Sequence, residues 1–501
     1  MELQRITKFT LLICGGIIFN LLFWKEQLGI NLLLFSSLLL AIGLITSKDV
    51  RKSKSAWISV AGVLLTGVMV LLHHSFAARF VHFISLIVFI GFLSQPQLKA
   101  VFHAIAASIL NALELPKSIA LEAVLKTKNR QKMKKRWRWV KLIVIPWVVF
   151  WIFYWIFYGS NPVFAAYCDR IWNVVFDILE SIFKDLSVLW IVQLIFGMAV
   201  VGLVLFRSSR KNLSQYEDQL MENIERKRKP RPNAFSFTRK TVISLKNEYK
   251  SALLLIASIN LLLLVINVID INWIWFNFEY DGTYNLSQFV HEGTYLLILS
   301  ILLSMGILLY FFRRNLNFFP NNIWLRRLAN AWIFQNAILV VSVIVRNYHY
   351  MYHFGLAYKR IGVMFFLCAV IIGLITLYIK INKAKTSFYL LKVNSWAVYG
   401  LLLLLSLVNW DGVIVKHNIK YTHEVRMDVE FLMSLSDKTL PILYENKDKL
   451  RLSDRRCYYG NMELQLYNRI NQFMANQRKI SWKSWNHADA KAFEYFESKG
   501  K

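Results

Sequence analysis

Apolar runs long enough to cross a lipid bilayer recur through the first 412 positions of this 501-residue chain. A helix needs about 20 apolar residues to cross the hydrocarbon core, where its backbone finds hydrogen-bond partners only within the helix itself. The runs therefore predict about eleven membrane-spanning helices. They cover residues 9–24, 28–46, 56–72, 80–93, 142–158, 188–206, 252–269, 294–312, 328–345, 361–379 and 396–408.

The composition excludes an ordinary soluble protein. Hydrophobic residues make up 56% of the chain and charged residues only 18%, whereas a soluble domain carries about a quarter charged residues. A net charge of +30 would indicate nucleic-acid binding in a soluble protein. Here the basic residues lie beside apolar runs, so we assign them to membrane topology and to anionic lipid at the cytoplasmic leaflet. No nucleic-acid partner is predicted.

Lysine and arginine occupy alternate gaps between the apolar runs. They crowd the N-terminus, the gaps after residues 46, 312 and 379, and the long segments 97–140 and 207–249. The intervening gaps contain few, among them Lys25 and Arg79. Because basic loops stay in the cytoplasm, the pattern predicts a cytoplasmic N-terminus, and an odd number of crossings places the C-terminus outside. The expected location is the cytoplasmic, or inner, membrane of a bacterium, as a multi-pass protein whose first run is retained rather than cleaved.

The predicted fold class is all-α: a polytopic transmembrane helix bundle over residues 1–412, followed by a small helical extracytoplasmic module over 413–501. In the module, apolar residues at helical spacing predict helices over 428–435, 439–444 and 462–477. Asn486 with Asp489 resembles a capping box that opens a last helix. Trp482 and Trp485 are expected to cover the core between these helices.

Two basic segments are expected in the cytoplasm. Segment 97–140 begins with an amphipathic stretch and ends in a basic run, which leaves two interpretations: a helix lying on an anionic leaflet, or a topology anchor with solvated lysines. Segment 207–249 is polar, with a short helix expected over 215–225. Cys168 and Cys457 both fall on the predicted outer side, as a disulfide or as two free thiols.

The best functional candidates lie at the outer end of the ninth run and in the loop before the eighth. The first is rich in Arg, Tyr and His, whereas Asp270 and loop 271–293 after it carry acidic groups and no Lys or Arg. We expect the two segments to pair, either structurally or around a polar substrate. The candidate functional polar cluster contains His291, Glu292, Arg346, Tyr350, His353, Arg360 and Asp281.

A metal site is the alternative interpretation of this region. His349 and His353 share one helix face, as two metal or haem ligands do. However, Tyr350 follows the first histidine where a zincin carries glutamate. We therefore predict no metal and no cofactor, and favour an aromatic belt at the membrane interface.

Four amide side chains lie within apolar runs. Buried polar groups are costly in hydrocarbon, so they mark either interhelical hydrogen bonds or a functional path. We favour the hydrogen bonds. The four are Asn260 and Asn267 in the seventh run and Gln335 and Asn336 in the ninth.

Four short motifs occur in order along the chain: Asn161-Pro162-Val163-Phe164, Val290-His291-Glu292-Gly293, Arg346 to Gly355-Leu356 and Arg360, and Asn409-Trp410-Asp411. Over residues 80–440 the chain resembles a family of bacterial polytopic proteins, the domain of unknown function 4173, related to the 4153 group. The resemblance implies a membrane location and a multi-helix fold, and no activity. Ala357 replaces the Thr or Ser expected after Gly-Leu.

Three functional classes follow from these observations. A transport protein or cell-envelope assembly component predicts a polar path among the seventh to tenth helices. An envelope-modifying membrane enzyme predicts His291, Glu292 or Arg360 as acid–base or phosphate-binding groups. A non-enzymatic sensor or scaffold predicts a protein partner bound through the C-terminal module. The substrate and the oligomeric state are not encoded in any recognisable motif.

Overall fold

The computed structural model describes residues 2–124, 146–147, 149–182, 188–207, 212–225, 237–276, 286–312, 315–319, 322–421, 428–453 and 462–500. Regular secondary structure within these ranges is helical, apart from an isolated bridge between Asn223 and Lys385. The predicted all-α class is confirmed. In the described ranges the α-helices are α1 Glu2–Phe23, α2 Ile30–Thr46, α3 Lys54–His73, α4 Phe76–Ser94, α5 Val101–Val124, α6 Val149–Ser160, α7 Pro162–Ile182, α8 Val188–Leu205, α9 Asn212–Asp218, α10 Phe237–Asp270, α11 Leu286–Phe311, α12 Asn322–Phe354, α13 Tyr358–Asn382, α14 Ser387–Ser406, α15 Trp410–Lys420, α16 Val429–Met433, α17 Leu440–Glu445, α18 Lys447–Ser453, α19 Met462–Gln477 and α20 His487–Ser498.

Many of these helices suit a bilayer. Within the described ranges, nine are long and apolar enough to cross one, namely α1, α3, α4, α5, α8, α10, α12, α13 and α14; α2, α6 and α11 are shorter apolar helices. Their outward side chains are large and apolar: Phe80, Leu261 and Phe334 are 50%, 66% and 68% exposed. So much exposed apolar surface would be unfavourable in water, whereas lipid acyl chains would cover it. The predicted polytopic helix bundle is confirmed.

The bundle has two apolar cores, which define two lobes. The N-lobe core is formed by α1 to α5, α8 and α14, and the C-lobe core by α10 to α14. Helix α14 belongs to both, because Tyr399 is buried in the N-lobe core and Leu390 in the C-lobe core. The hydroxyl of Tyr399 donates to Ser85 Oγ at 3.1 Å, which ties α14 to α4. The two lobes are therefore joined through one shared helix.

The helix connections lie at two opposite ends of the bundle. At one end, which we call the basic end, Lys8 Nζ lies 6.0 Å from the ring of Phe206, and Arg207 Nη2 donates to Thr46 Oγ1 at 2.5 Å. At the other, the module end, the amide of Ile30 donates to the carbonyl of Trp485 at 3.0 Å. In the described residues, two other basic gaps also reach this end, where Lys99 and Lys392 pair with Asp218 and Glu222 of the connection that follows α8.

The C-terminal helices pack around a third apolar core, to which Ile361 of α13 also contributes. Leu432, Leu440, Leu443 and Leu466 of α16, α17 and α19 are completely buried there. Helix α19 coincides with the stretch 462–477, and Asn486 caps α20 by accepting the amide of Asp489 at 2.9 Å. Segment 215–225, expected to be helical, is helical only in the part that belongs to α9. Cys168 lies on α7, and Cys457 lies outside the described residues.

The tryptophans of the module do not cover its core. Trp482 and Trp485 are 63% and 43% exposed, so this expectation was wrong. The reason is that the segment between α19 and α20 docks on the membrane domain through backbone and small polar groups. The amide of Gln27 donates to Ser484 Oγ at 2.8 Å, and that hydroxyl donates to Glu26 at 2.6 Å.

The module contacts both lobes. On the N-lobe, Lys438 Nζ donates to the carbonyl of His73 at 2.7 Å, and His74 Nδ1 donates to Asp489 Oδ2 at 2.9 Å. Burial alone would raise the pKa of Asp489, but the hydrogen bonds from His74 and Asn486 hold that pKa below its ordinary value. On the C-lobe, Asn418 of α15 accepts from the amide of Leu356 at 2.6 Å. The module thus bridges the two lobes at one end of the bundle.

Candidate functional site

A line of amide side chains joins α10 to α12 in the interior of the C-lobe. Asn260 Nδ2 donates to the carbonyl of Leu328 at 3.1 Å, and Asn267 Nδ2 donates to the carbonyl of Gln335 at 3.1 Å. Both bonds join residues 68 positions apart, so the two helices run in the same direction. The predicted interhelical hydrogen bonds are present at Asn260, Asn267 and Gln335, whose Nε2 donates to Asn260 Oδ1 at 3.1 Å, whereas Asn336 Nδ2 donates within α12, to the carbonyl of Trp332. We call Asn260, Asn267, Gln335 and Asn336 the polar seam.

The spacing of these residues explains the seam. Asn260 and Asn267 are seven positions apart, which is close to two helical turns, so they lie on one face of α10. The contact between α10 and α12 continues beyond Asn267, where Trp275 Nε1 donates to Ser342 Oγ at 3.1 Å. Trp275 belongs to a π-helical turn, Ile271–Phe276, that continues α10. Such turns are frequent at functional sites.

The seam presents oxygen acceptors that protein donors do not reach. A backbone carbonyl can only accept, so the bonds of Asn267 Nδ2 and Asn336 Nδ2 to carbonyls fix the orientation of both amides. Within the described part of the chain, Asn267 Oδ1, Gln335 Oε1 and Asn336 Oδ1 are buried and have no hydrogen-bond partner. Each unpaired buried acceptor costs about 1–3 kcal/mol. Their retention in an apolar bundle favours a function that uses them.

A buried ion pair lies at the module end of the seam. Arg346 Nη2 donates to Asp270 Oδ1 at 2.6 Å, and the side chains are 9% and 5% exposed. Asp270 is the last residue of α10, where the helix passes into its π-helical turn. Charges this deeply buried need each other, because either one alone would be strongly destabilised. In the described residues, Asp270 Oδ2 has no protein donor.

Polar contacts between α12 and α13 continue toward the basic end. Asn330 and Asn382 exchange hydrogen bonds of 3.2 and 3.1 Å between their side-chain amides. The C-lobe thus carries polar side chains near its basic end, in its middle and near its module end.

A family model described as a domain of unknown function, DUF4153, matches residues 34–446. The chain belongs to the DUF4153 family. The DUF4153 region begins within α2 and ends just after α17, so it contains the polar seam and the Asp270–Arg346 pair. No curated protein and no solved structure matches the chain.

The predicted functional cluster of the DUF4153 chain is only partly described. Arg346 is buried in its pair with Asp270, which was among the acidic residues expected to face it. Asp281 lies outside the described residues, and so do the side chains of His291 and Glu292, although both positions belong to α11. His353 lies near the C-terminus of α12, with its ring 5.3 Å from that of Tyr352. The cluster as a whole therefore stays a prediction.

Arg360 and Tyr350 build the turn between α12 and α13. The guanidinium of Arg360 lies 4.0 Å from the ring centroid of Tyr350 and donates to the carbonyls of Phe354 and Gly355. Gly355 has a φ of 76°, and a Cβ there would lie 2.6 Å from Asn418 Oδ1. Both the conformation and the close approach require glycine. The guanidinium of Arg360 is thus occupied by hydrogen bonds to backbone carbonyls.

Two buried charged residues were missed by the sequence analysis. Lys380, counted there as a basic loop residue, is 1% exposed and donates to the carbonyl of Phe312 at 2.9 Å, just after α11. A cation is favourable at a helix C-terminus. Glu217 is completely buried and accepts the amides of Lys99 and Ala100 at 2.7 and 3.0 Å. Both partners are distant in the chain, so no local pattern marks them.

Proposed function

We propose that this DUF4153 chain is a membrane transport protein that moves a small cation, protons included, along the polar seam of the C-lobe. The observation that carries the proposal is the set of buried oxygen acceptors at Asn267, Gln335 and Asn336, beside Asp270. Oxygen atoms of this kind can replace the water molecules that hydrate a cation. They can also accept a hydrogen bond from a group that carries a proton.

The enzyme alternative is less well supported. A phosphate-binding role for Arg360 requires a guanidinium that is free to reach a substrate. The guanidinium of Arg360 instead donates to Phe354 and Gly355 and stacks on Tyr350. The scaffold alternative draws on one specific observation, the contact of the C-terminal module with both lobes. That contact is compatible with transport, since a bridge between lobes can also set their relative position.

Flux measurements in proteoliposomes test the transport proposal. The purified protein is expected to dissipate an imposed gradient of H⁺, Na⁺ or K⁺, read with a dye specific for each ion. Asn267→Leu removes one seam acceptor, and we expect flux to fall by about tenfold or more, the effect of roughly 1.4 kcal/mol on a barrier.

Asn20→Leu is the matched control. Asn20 is also a buried amide with an unpaired Oδ1 in the described residues, but it belongs to the N-lobe and donates to the carbonyl of Trp190. Its replacement is expected to leave flux unchanged. Wild-type protein no better than empty vesicles for all three cations, or equal losses in the two variants, would overturn the proposal.

We also propose that the protein lies in the cytoplasmic membrane of a bacterium, with its basic end in the cytoplasm. The charge asymmetry between the two ends supports this orientation. The relation to the 4173 domain, carried by the four short motifs, belongs to the same proposal.

Thiol labelling tests the orientation. Tyr216 of α9 is 55% exposed at the basic end, and Leu464 of α19 is 57% exposed in the module. In a background without the four native cysteines, a membrane-impermeant reagent should label Leu464→Cys in intact spheroplasts and Tyr216→Cys only after lysis. The opposite pattern would invert the topology.

A further inference from the structure

Helix α5 begins at the basic end of the bundle. Ala104 packs so closely under α4 that a Cβ on Gly91 would lie 1.9 Å from the carbonyl oxygen of Ala104. Gly91 lies in the last turn of α4, which ends at Ser94. His103 and the amides before it contact Glu217, in the connection that follows α8. The N-terminus of α5 is thus fixed beside the inner ends of α4 and α8.

Helix α5 also ends at the basic end. Glu122 accepts from Lys8 Nζ at 2.8 Å, and Lys8 lies near the start of α1, beside Phe206. In the middle of α5, Asn111 Nδ2 donates to the carbonyl of Leu203 at 3.0 Å, near the C-terminus of α8. The helix has 24 residues and is therefore about 36 Å long. A crossing helix of that length would place Glu122 at the module end.

Composition alone would make α5 a membrane span, because Val101–Glu122 is long and apolar enough. The contacts at its start, middle and end instead place it along the plane of the membrane, beneath α4, α8 and α1. Its face away from the bundle is apolar: Phe102, Ile109 and Leu113 are 56%, 54% and 63% exposed. These positions recur at helical spacing, as in a helix that lies in the interface.

We propose that α5 is a membrane-plane helix whose apolar outer face lies against the acyl chains of the leaflet at the basic end. The acyl chains cover Phe102, Ile109 and Leu113, which the bundle leaves exposed. This inference is independent of the transport proposal, since it rests on the N-lobe and on a different surface.

Depth-dependent fluorescence quenching tests the placement of α5. Phe102→Cys and Leu113→Cys lie eleven positions apart on the exposed face of α5. Labelled with an environment-sensitive dye in vesicles that contain lipids quenching at known depths, they should report the same shallow depth. The matched control is Leu254→Cys and Leu261→Cys on α10, which are both exposed and run from near one end of the span to its middle. Although only seven positions apart, the control pair should differ in depth by about 10 Å. A depth difference between Phe102→Cys and Leu113→Cys as large as their separation along α5, about 16 Å, would overturn the proposal.

Discussion

Replacing Lys438 with methionine is expected to destabilise the docked C-terminal module by about 3–5 kcal/mol. Lys438 Nζ lies 2.5 Å from Asp411 Oδ2, and the two side chains are only 2% and 5% exposed. Removing the lysine leaves the Asp411 carboxylate buried, with Ser436 Oγ as its remaining side-chain donor in the described residues. The same substitution removes the bond to the carbonyl of His73, which joins the module to the N-lobe.

The measurement is the denaturant concentration, or the temperature, at which a protease releases the module from detergent-solubilised protein. Lys438→Met combined with Asp411→Leu should recover much of the loss, because no unpaired charge remains buried. Lys447→Met is the matched control, since Lys447 pairs with Glu463 at 3.1 Å on a surface where each side chain is about a third exposed. That control should change release little. Equal release in Lys438→Met and wild type would show that the pair does not hold the module.

The membrane helices are the part of this fold that the sequence predicts well. The apolar run over 188–206 is α8, Val188–Leu205, and the run over 28–46 is α2, Ile30–Thr46. The reason is that the length of a span and the charges beside it are local properties. Helix α12 is longer than its apolar run, Asn322–Phe354 against 328–345, because a helix does not end where hydrocarbon ends.

Placement against the rest of the bundle is what the sequence lacks. The amphipathic start of segment 97–140 was recognised, but its course along the basic end depends on partners such as Lys8 and Leu203. This course bears on the number of crossings. Glu122 lies at the basic end. Trp190 lies at the module end of α8, where its carbonyl accepts from Asn20 Nδ2. The chain between Glu122 and Trp190 must therefore cross an odd number of times, which a single crossing by the predicted run 142–158 satisfies.

The candidate site shows the same division. Amides within apolar runs are visible in the sequence, but their partners on α12 are not, because Asn260 and Asn267 donate to backbone carbonyls that any residue could present. The burial of Lys380 and Glu217 cannot be predicted either, because burial of a charge depends on which carbonyl or amide a distant helix presents. The pairing of Asp270 with Arg346 could be predicted, since the outer loop is acidic and the end of the ninth run is basic.

Replacing Asp270 with leucine is expected to cost about 3–5 kcal/mol of stability, because Arg346 loses its carboxylate partner inside the bundle. The pair is close, at 2.6 Å, and both side chains are at least nine-tenths buried. Asp270→Asn should cost less, since an amide oxygen still accepts from Arg346 Nη2. Thermal unfolding followed by fluorescence-detected size exclusion measures both variants.

The exchanged pair, Asp270→Arg with Arg346→Asp, separates folding from transport. It restores two opposite charges at the same place, so much of the stability should return. The flux of the seam should not return, because the carboxylate then projects from α12 and no longer from the end of α10, beside the acceptors of Asn267 and Gln335. Recovery of stability with cation flux still at least about tenfold below wild type is therefore the expected result. Recovery of both together would mean that Asp270 serves the fold alone, and the carboxylate would have to be removed from the proposed cation path.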